Sequence, residues 1–413
     1  MENEIYWLWL QGALGYADKK AKAIVDFFGD ARTVYEADAK ELRDAHISGL
    51  GPKAIGRLKD EDIEKYYDTY DFCKNHKIHI ITPDSEYYPK RLREIENLPY
   101  VLYVRGDYKC LNAEKALAVI GSRTPSEYGE EAAREIVNGL CKENVLIVSG
   151  GALGIDSVAH TGAIENGGKT VLVMGCGHGS GYLPQNSELR KRVAQNGALV
   201  TEYPPYTNVG QNTFPQRNRI ISGMSSGVVI AEAAQFSGTF STARHAVRQG
   251  REVFVLPGDI NSGNFEGSNQ LITEGAKPVF SAENILYGKA KGSPTGEKTG
   301  KPFENILEES SFSKNNPEKK AKRKPKKKSA PKAEKEEVTL KEEKNNEKNI
   351  KINMETISKN AGIVYNIMSD GICDFDGIVR ESEIQVNKVL SALTELEMKG
   401  IISREGPNRY SLN

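Results

Sequence analysis

The chain has 413 residues, 38% of them hydrophobic, which is enough for two or three domains with ordinary cores. Its 56 basic and 56 acidic residues give a formal net charge of zero, so a polyanion site in the folded part has to be a local patch. Five cysteines without a CxxC pair indicate neither a disulfide framework nor a zinc site, and neither an export signal nor a long apolar run is present, so we expect a cytoplasmic protein without membrane contact.

Residues 1–70 are predicted to form a small helical domain, because apolar residues such as Ile24, Val25 and Phe28 keep helical spacing. The turn at 49–53, Gly-Leu-Gly-Pro-Lys, resembles the hairpin of SAM or helix-hairpin-helix modules. Such a hairpin can hold a DNA phosphate at the following helix N-terminus. A plain helix–helix turn explains the same glycines equally well.

Residues 71–288 are predicted to form an extended Rossmann-like domain. Strands at 78–81 and 101–104 indicate an extension packed on its centre. From residue 116 onward, buried apolar strands alternate with helices, the pattern of a doubly wound parallel sheet and hence of an α/β fold. The predicted strands are 116–120, 145–148, 170–174, 198–201, 228–231, 253–256 and one near 278–280, and the predicted helices are 126–143, 156–166, 187–196, 218–224 and 239–249.

Four of these strands end in loops of small residues. Such loops gather beyond the carboxyl ends of the strands of a parallel sheet, where helix N-termini attract anions. Arg123 would add a guanidinium group suited to phosphate. This convergence favours a phosphate-bearing ligand over the alternative that the glycines only make tight turns. The loops contain Gly121, Ser122 and Arg123; Ser149, Gly150 and Gly151; Gly175 and Gly177; and Ser237, Gly238 and Thr239.

A cluster of a different kind lies between the fourth and fifth of these strands. Arg217 and Arg219 flank Asn218, which is expected to cap a helix, and Phe214 stands beside them. Two arginines and an aromatic ring suit a phosphate with a stacked base. One of the two arginines is expected to pair instead with a carboxylate such as Glu202 or Glu232.

In this order, the segments 121–123, 149–156, 214–221, 237–244 and 250–258 resemble the motifs of the DNA-processing protein A family, also called DprA or Smf. The resemblance implies a homodimer that binds and protects single-stranded DNA and helps to load a RecA-type recombinase in natural transformation. By motif position, Arg123 and the segment from Arg217 to Arg219 become DNA contacts. Gln211 is included with them, although family members often carry lysine three residues before the motif phenylalanine.

The C-terminal part divides into a linker and a small domain. Residues 289–351 are rich in Lys and Glu and are predicted to be disordered. Their basic run at 319–328 either contacts DNA without sequence preference or is simply solvated. Residues 352–413 are predicted to contain three helices and a two-strand wing, similar to the winged helix of many family members. Glu395 and Glu397 in the third helix favour a protein contact over reading of the major groove.

The expected function is therefore single-strand binding without catalysis, cofactor or metal. The sequence shows no Ser-His-Asp set, paired carboxylates or metal cluster, and His160, His178 and His245 are expected to be structural. The alternative is a nucleotide-binding enzyme of the phosphoribohydrolase type, since that fold is related. Those enzymes resemble one another in a Pro-Gly-Gly-x-Gly-Thr-x-x-Glu motif, whereas Thr239 is followed by Phe-Ser-Thr-Ala. A purely structural interaction protein leaves the arginine segment unexplained.

Overall fold

The computed structural model describes residues 3–210, 212–235, 237–287, 358–369, 375–382, 386–399, 401–406 and 409–412. The described residues fall into two compact units, one up to residue 287 and the other from residue 358. The predicted linker at 289–351 lies outside the described residues. No described helix is long and apolar enough to cross a membrane.

The first unit begins with six helices. The first of them is buried on almost every side and includes both tryptophans, Trp7 and Trp9. Asp30 and Asp38 cap the third and fourth helices, and Pro52 opens the fifth, where its missing N–H leaves no donor unpaired. The helices are α1 (Asn3–Leu14), α2 (Ala21–Phe28), α3 (Ala31–Glu36), α4 (Ala39–Asp44), α5 (Pro52–Asp60) and α6 (Tyr67–Asn75).

These helices share a hydrophobic core with the sheet that follows, because one cluster of buried side chains runs from α1 through the aromatic residues at 100 and 103 to the strands. The predicted division at residue 70 thus marks a change of secondary structure inside one compact unit. The turn before α5 joins two helices, and its binding of a DNA phosphate stays a prediction.

A nine-stranded sheet forms the centre of the first unit. Its order is β1-β2-β6-β5-β4-β3-β7-β8-β9, in which β2 is antiparallel to both of its neighbours, β1 and β6, and the remaining pairs are parallel. The strands are β1 (His79–Ile81), β2 (Leu102–Gly106), β3 (Ala116–Ile120), β4 (Leu146–Ser149), β5 (Thr170–Val173), β6 (Ala198–Thr201), β7 (Gly227–Ile230), β8 (Glu252–Val255) and β9 (Lys277–Pro278).

Helices cover both faces of this sheet, and the side chains of β3 show how. Leu117 and Val119 belong to one buried cluster, while Ala118 and Ile120 belong to another, as expected when successive side chains point to opposite faces. The doubly wound α/β fold is therefore confirmed. The helices are α7 (Lys90–Arg93), α8 (Glu127–Lys142), α9 (Ile155–Glu165), α10 (Ser187–Asn196), α11 (Thr213–Met224), α12 (Thr239–Arg248), α13 (Glu266–Thr273) and α14 (Ala282–Tyr287).

Two details differ from the sequence-based prediction. The extension at 78–104 is hydrogen-bonded into the sheet through β2 and β6, so it continues the sheet instead of packing on it. Helix α11 begins at Thr213, five residues before the predicted start. Pro215 is its third residue, in the first turn, where a missing N–H costs no helical hydrogen bond.

The second unit contains three helices and a two-stranded antiparallel sheet. Val364, Val389, Leu393 and Leu396 meet in its small hydrophobic core. This order of elements matches the predicted winged helix. The elements are α15 (Lys359–Ser369), α16 (Phe375–Ser382), α17 (Val386–Met398), β10 (Ile402–Gly406) and β11 (Arg409–Leu412).

Candidate functional site

A cleft of about 510 Å³ opens beyond the carboxyl ends of β3 and β7. The chain order reverses there, since β4 to β6 follow β3 on one side and β7 to β9 lie on the other. Ligands of open α/β sheets bind at such a switch point. The lining residues used below are Gly121, Ser122, Arg123, Asp156, Phe214, Arg217, Asn218, Ile221, Ser237, Gly238, Thr239, Ser241 and Thr242.

The loop after β3 forms one rim of the cleft. Gly121 has no space for a side chain, because a Cβ atom there would lie 2.7 Å from Ile155. The carbonyl of Ser122 accepts a 3.0 Å hydrogen bond from the N–H of Ile155, so the loop is tied to the start of α9. Arg123 is exposed and makes no hydrogen bond or ion pair with the described residues. It leaves a charged guanidinium group available at the rim.

The N-terminus of α12 forms the opposite rim. Gly238 precedes the helix, and the hydroxyl of Ser237 accepts a 3.1 Å hydrogen bond from the N–H of Thr239. The positive end of the helix dipole thus borders the cleft. The sequence pattern does not mark Ser241 and Thr242 as site residues, although Thr242 lies three residues after Thr239 and so shares its helix face.

Polar groups of the loop after β4 are used within the protein. The hydroxyl of Ser149 is buried and donates to the carbonyl of Val119 at 2.7 Å. The N–H of Ala152 donates to the Asp156 carboxylate at 3.2 Å, and the N–H of Gly150 contributes to the same carboxylate. The Asp156 carboxylate therefore occupies the amide of Gly150, and a phosphate contact of Ser149, Gly150 and Gly151 stays a prediction.

Asp156 lines the cleft, although the sequence motif that contains it did not predict it as a site residue. Burial raises the pKa of its carboxyl group, an effect that nearby Arg217 and the loop amides oppose. Although it lines the cleft, Asp156 is only 7% exposed.

Arg217 is a clamp between α11 and the sheet. Its guanidinium group donates to the carbonyl of Gly150 at 2.6 Å and also to the carbonyl of Val173, at the ends of β4 and β5. Only 6% of the residue is exposed, and burial lowers the pKa of its guanidinium group while Asp156 opposes the shift. Most of its donors are used internally, and its contact with DNA stays a prediction.

Arg219 is not among the residues that line the cleft, and its predicted contact with DNA stays a prediction. The residue is completely buried, and its Nη2 lies 2.6 Å from Oε2 of Glu202, directly after β6. The expectation that one arginine pairs with a carboxylate is thus met by Arg219 and Glu202. Burial raises the pKa of Glu202, while Arg219 and the N–H of Ala17 lower it, so the pair joins α11 to the loop after α1.

Phe214 and Asn218 share the cleft-facing side of α11. The half-buried ring of Phe214 lies 5.1 Å from the ring of Tyr182 and 5.7 Å from the guanidinium group of Arg217. Asn218 lies in the second turn of α11 and does not cap it, because the helix begins at Thr213. Its Oδ1 accepts a 3.2 Å hydrogen bond from Nε of Arg217. Gln211 lies outside the described residues.

Of the histidines in the sheet domain, His160, His178 and His245 are predicted to be structural, and their surroundings agree with that role. His160 and His178 hydrogen-bond Thr170 and the carbonyl of Tyr103, at 2.7 and 2.9 Å. Burial lowers the pKa of His160 to about 3 and the pKa values of His178 and His245 to about 4, so all three are neutral near pH 7. Among the described residues, no group of His, Cys, Asp and Glu is arranged to hold a metal ion.

Comparison with known proteins supports the family resemblance. The family model of DNA recombination-mediator protein A matches residues 79–289, which contain every strand of the large sheet. The chain belongs to this family. A second model, the DprA winged helix domain, matches residues 355–406 and so confirms the nature of the C-terminal unit.

Individual family members are similar over the same region. The DNA processing protein DprA of Bacillus subtilis is 37% identical over 209 residues, which cover 51% of this chain and 70% of that protein. The DprA of Streptococcus pneumoniae is 37% identical over 242 residues, 59% of this chain and 84% of that protein. Its X-ray structure covers 69% of this chain and 97% of its own, with 31% identity and a TM-score of 0.58.

Proposed function

We propose that this protein binds single-stranded DNA in the cleft at β3 and β7, without catalysing a reaction on it. The observation that carries the proposal is the pairing of an exposed, unpartnered Arg123 with the N-terminus of α12 across the cleft. Both features attract a phosphate group. The names of the relatives, DNA processing protein and DNA recombination-mediator protein, agree with a DNA ligand.

The shape and chemistry of the cleft favour a single strand over a duplex. Phe214 offers part of a ring within the cleft, and Asn218 has an Nδ2 group that makes no hydrogen bond with the described residues and can donate to a base or sugar. A single strand can turn its bases toward such groups, whereas a duplex keeps them stacked and paired. Recognition by a ring and by phosphate contacts gives little sequence preference.

The carboxylates near the cleft do not favour catalysis. Asp156 accepts hydrogen bonds from the loop amides, and Glu232 accepts them from the N–H of Ser126 at 2.9 and 3.2 Å. Both are held by the protein's own donors, and no glutamate follows Thr239 at the motif position of the phosphoribohydrolases. These features argue against the nucleotide-hydrolysing alternative.

We further propose that the bound strand is protected and passed to a RecA-type recombinase in the cytoplasm during natural transformation. The family description as a recombination mediator supports a role between free single strands and a recombinase. The winged helix and the linker are proposed to act in protein contact or regulation.

Binding competition tests this function. Fluorescence anisotropy would compare a single strand, a duplex of equal length and a nucleoside monophosphate. We expect the affinity for the single strand to be at least about tenfold higher than the affinity for the duplex, since base stacking on protein rings contributes roughly 1–3 kcal/mol per base. Affinity should fall as salt rises, because phosphate contacts release counterions. Equal affinity for the duplex, or release of free base from the monophosphate, would contradict the proposal.

A further inference from the structure

A second aromatic feature lies on the same edge of the sheet as the cleft. The ring of Tyr206, in the loop after β6, is 71% exposed. Its centroid lies 4.8 Å from that of Phe72, and Phe72 in turn stacks on His76 at 3.8 Å with an interplanar angle of 23°. We call Tyr206, Phe72 and His76 the aromatic ledge.

The ledge is held in place by backbone contacts between two loops. The N–H groups of Gly177 and Gly179, after β5, donate to the carbonyls of Thr207 and Pro205 at 2.8 and 2.7 Å. Gly177 cannot carry a side chain, because a Cβ atom there would overlap the carbonyl oxygens of Pro204 and Pro205. The loop bearing Tyr206 is therefore fixed to the carboxyl end of β5 and does not depend on burial of its own ring.

The ledge continues the wall of the cleft. Phe214, which lines the cleft, packs against Tyr182 at 5.1 Å, and Tyr182 lies with Ser180 in the loop after β5. Gly179, which precedes Ser180 in that loop, lies close to the ring of Tyr206, because a Cβ atom there would be 3.3 Å from that ring. From the β3 loop to the β6 loop is a distance of three strand spacings, about 14 Å. A line of rings thus runs from the phosphate-attracting cleft toward the carboxyl end of β6.

We propose that the aromatic ledge stacks bases of the same DNA strand beyond those held in the cleft. This inference rests on the proposed function, since it extends that binding site. Every base presents a π-face, so rings of this kind bind single strands without selecting a sequence. The exposed ring of Tyr206 adds little to the core, and its support by Phe72 and His76 leaves its solvent face open for a base. The ledge should therefore lengthen the bound segment and leave the contacts in the cleft unchanged.

The test uses the full chain and oligothymidylates from about 4 to about 16 nucleotides, the range of common single-strand site sizes. Tyr206→Ala should leave affinity for the shortest oligonucleotide unchanged and weaken the longest roughly five- to hundredfold, the loss of one stacked base. Tyr206→Phe should retain the wild-type affinity at every length. Phe27→Ala, which removes a 59% exposed ring paired with Phe28 on α2, serves as the matched control.

A spectroscopic readout separates stacking from an indirect effect. Both native tryptophans, Trp7 and Trp9, are at most 1% exposed. In Tyr206→Trp the new indole is therefore the accessible emitter, and long oligonucleotides should quench it while short ones do not. Tyr206→Ala binding every length like the wild type, or losing affinity equally at every length, would overturn the ledge while the proposed function stands. A wild-type protein that binds no single strand at any length would overturn both.

Discussion

At the scale of single residues, Arg123 is the side chain on which the proposed function depends most. Arg123→Ala should weaken single-strand binding by about tenfold or more, since hydrogen bonds to charged groups contribute roughly 1.5–3 kcal/mol. Arg123→Lys should restore the affinity only in part, because the planar fork is lost. The thermal midpoint should not change, since the side chain is exposed and contacts no partner among the described residues.

Anisotropy titration together with thermal unfolding checks this prediction. Arg32→Ala is a suitable control, because Arg32 is an exposed arginine of α3 whose ion pair with Glu36 is open to solvent. If Arg123→Ala bound single strands as tightly as the control, Arg123 would have to be removed from the interface.

Arg219 is predicted to act on stability. Removing it alone leaves Glu202 buried without its ion partner, so Arg219→Ala should lower the free energy of unfolding by roughly 3–5 kcal/mol. Oε1 of Glu202 and two nitrogens of Arg219 have no hydrogen-bond partner among the described residues. An apolar pair of similar size, Arg219→Met with Glu202→Leu, should therefore recover most of that loss.

Urea unfolding of Arg219→Ala and of the double variant measures the loss and its recovery. Single-strand affinity of the double variant should stay within about threefold of the wild type, well below the loss expected for a direct charged contact. A double variant that unfolds like the wild type yet loses DNA binding would return Arg219 to the interface.

At the scale of elements, the strands and most helices follow from the sequence, because continuous apolar runs and helical spacing are properties of the chain itself. The prediction for α11 was less accurate for a physical reason. Pro215 and Asn218 suggest a loop and a cap, but a proline in the first turn of a helix disturbs no hydrogen bond, and the helix had already begun. The local sequence does not distinguish a proline in a loop from a proline in the first turn of a helix.

The start of α11 at Thr213 also explains why Arg217 lines the cleft and Arg219 does not. In the helix from Thr213, Phe214, Arg217, Asn218 and Ile221 keep the spacing i, i+3, i+4 and i+7 and line the cleft together. Arg219 is two residues from Arg217, about 200° around the helix, and so faces away. The hydrogen bonds between the Asp156 carboxylate and the loop after β4 could not be predicted from the sequence either, because they depend on where the Asp156 side chain lies in three dimensions.

At the scale of the whole molecule, a homodimer through the sheet domain is proposed, so that one strand spans two clefts and gains from effective concentration. Apolar residues of the segment 272–280, near the last strand of the sheet, are candidates for its interface. Ile272 packs against the core, but Phe280 is 67% exposed beyond β9, and Ile260 is 87% exposed in the loop between β8 and α13. These two exposed side chains follow the last strands of the sheet and are candidates for the interface.

Truncation and substitution test this arrangement by light scattering and anisotropy. A fragment of residues 1–288 should remain dimeric at micromolar concentration and keep most of its single-strand affinity, because the described residues up to 287 form a compact unit with the cleft.

Phe280→Glu should shift this fragment to a monomer and weaken its binding of long strands more than of short ones, since only long strands reach two clefts. Phe27→Glu, at a similarly exposed ring on α2, should do neither. A monomeric fragment that still binds long strands as tightly as the full chain would show that a single cleft suffices.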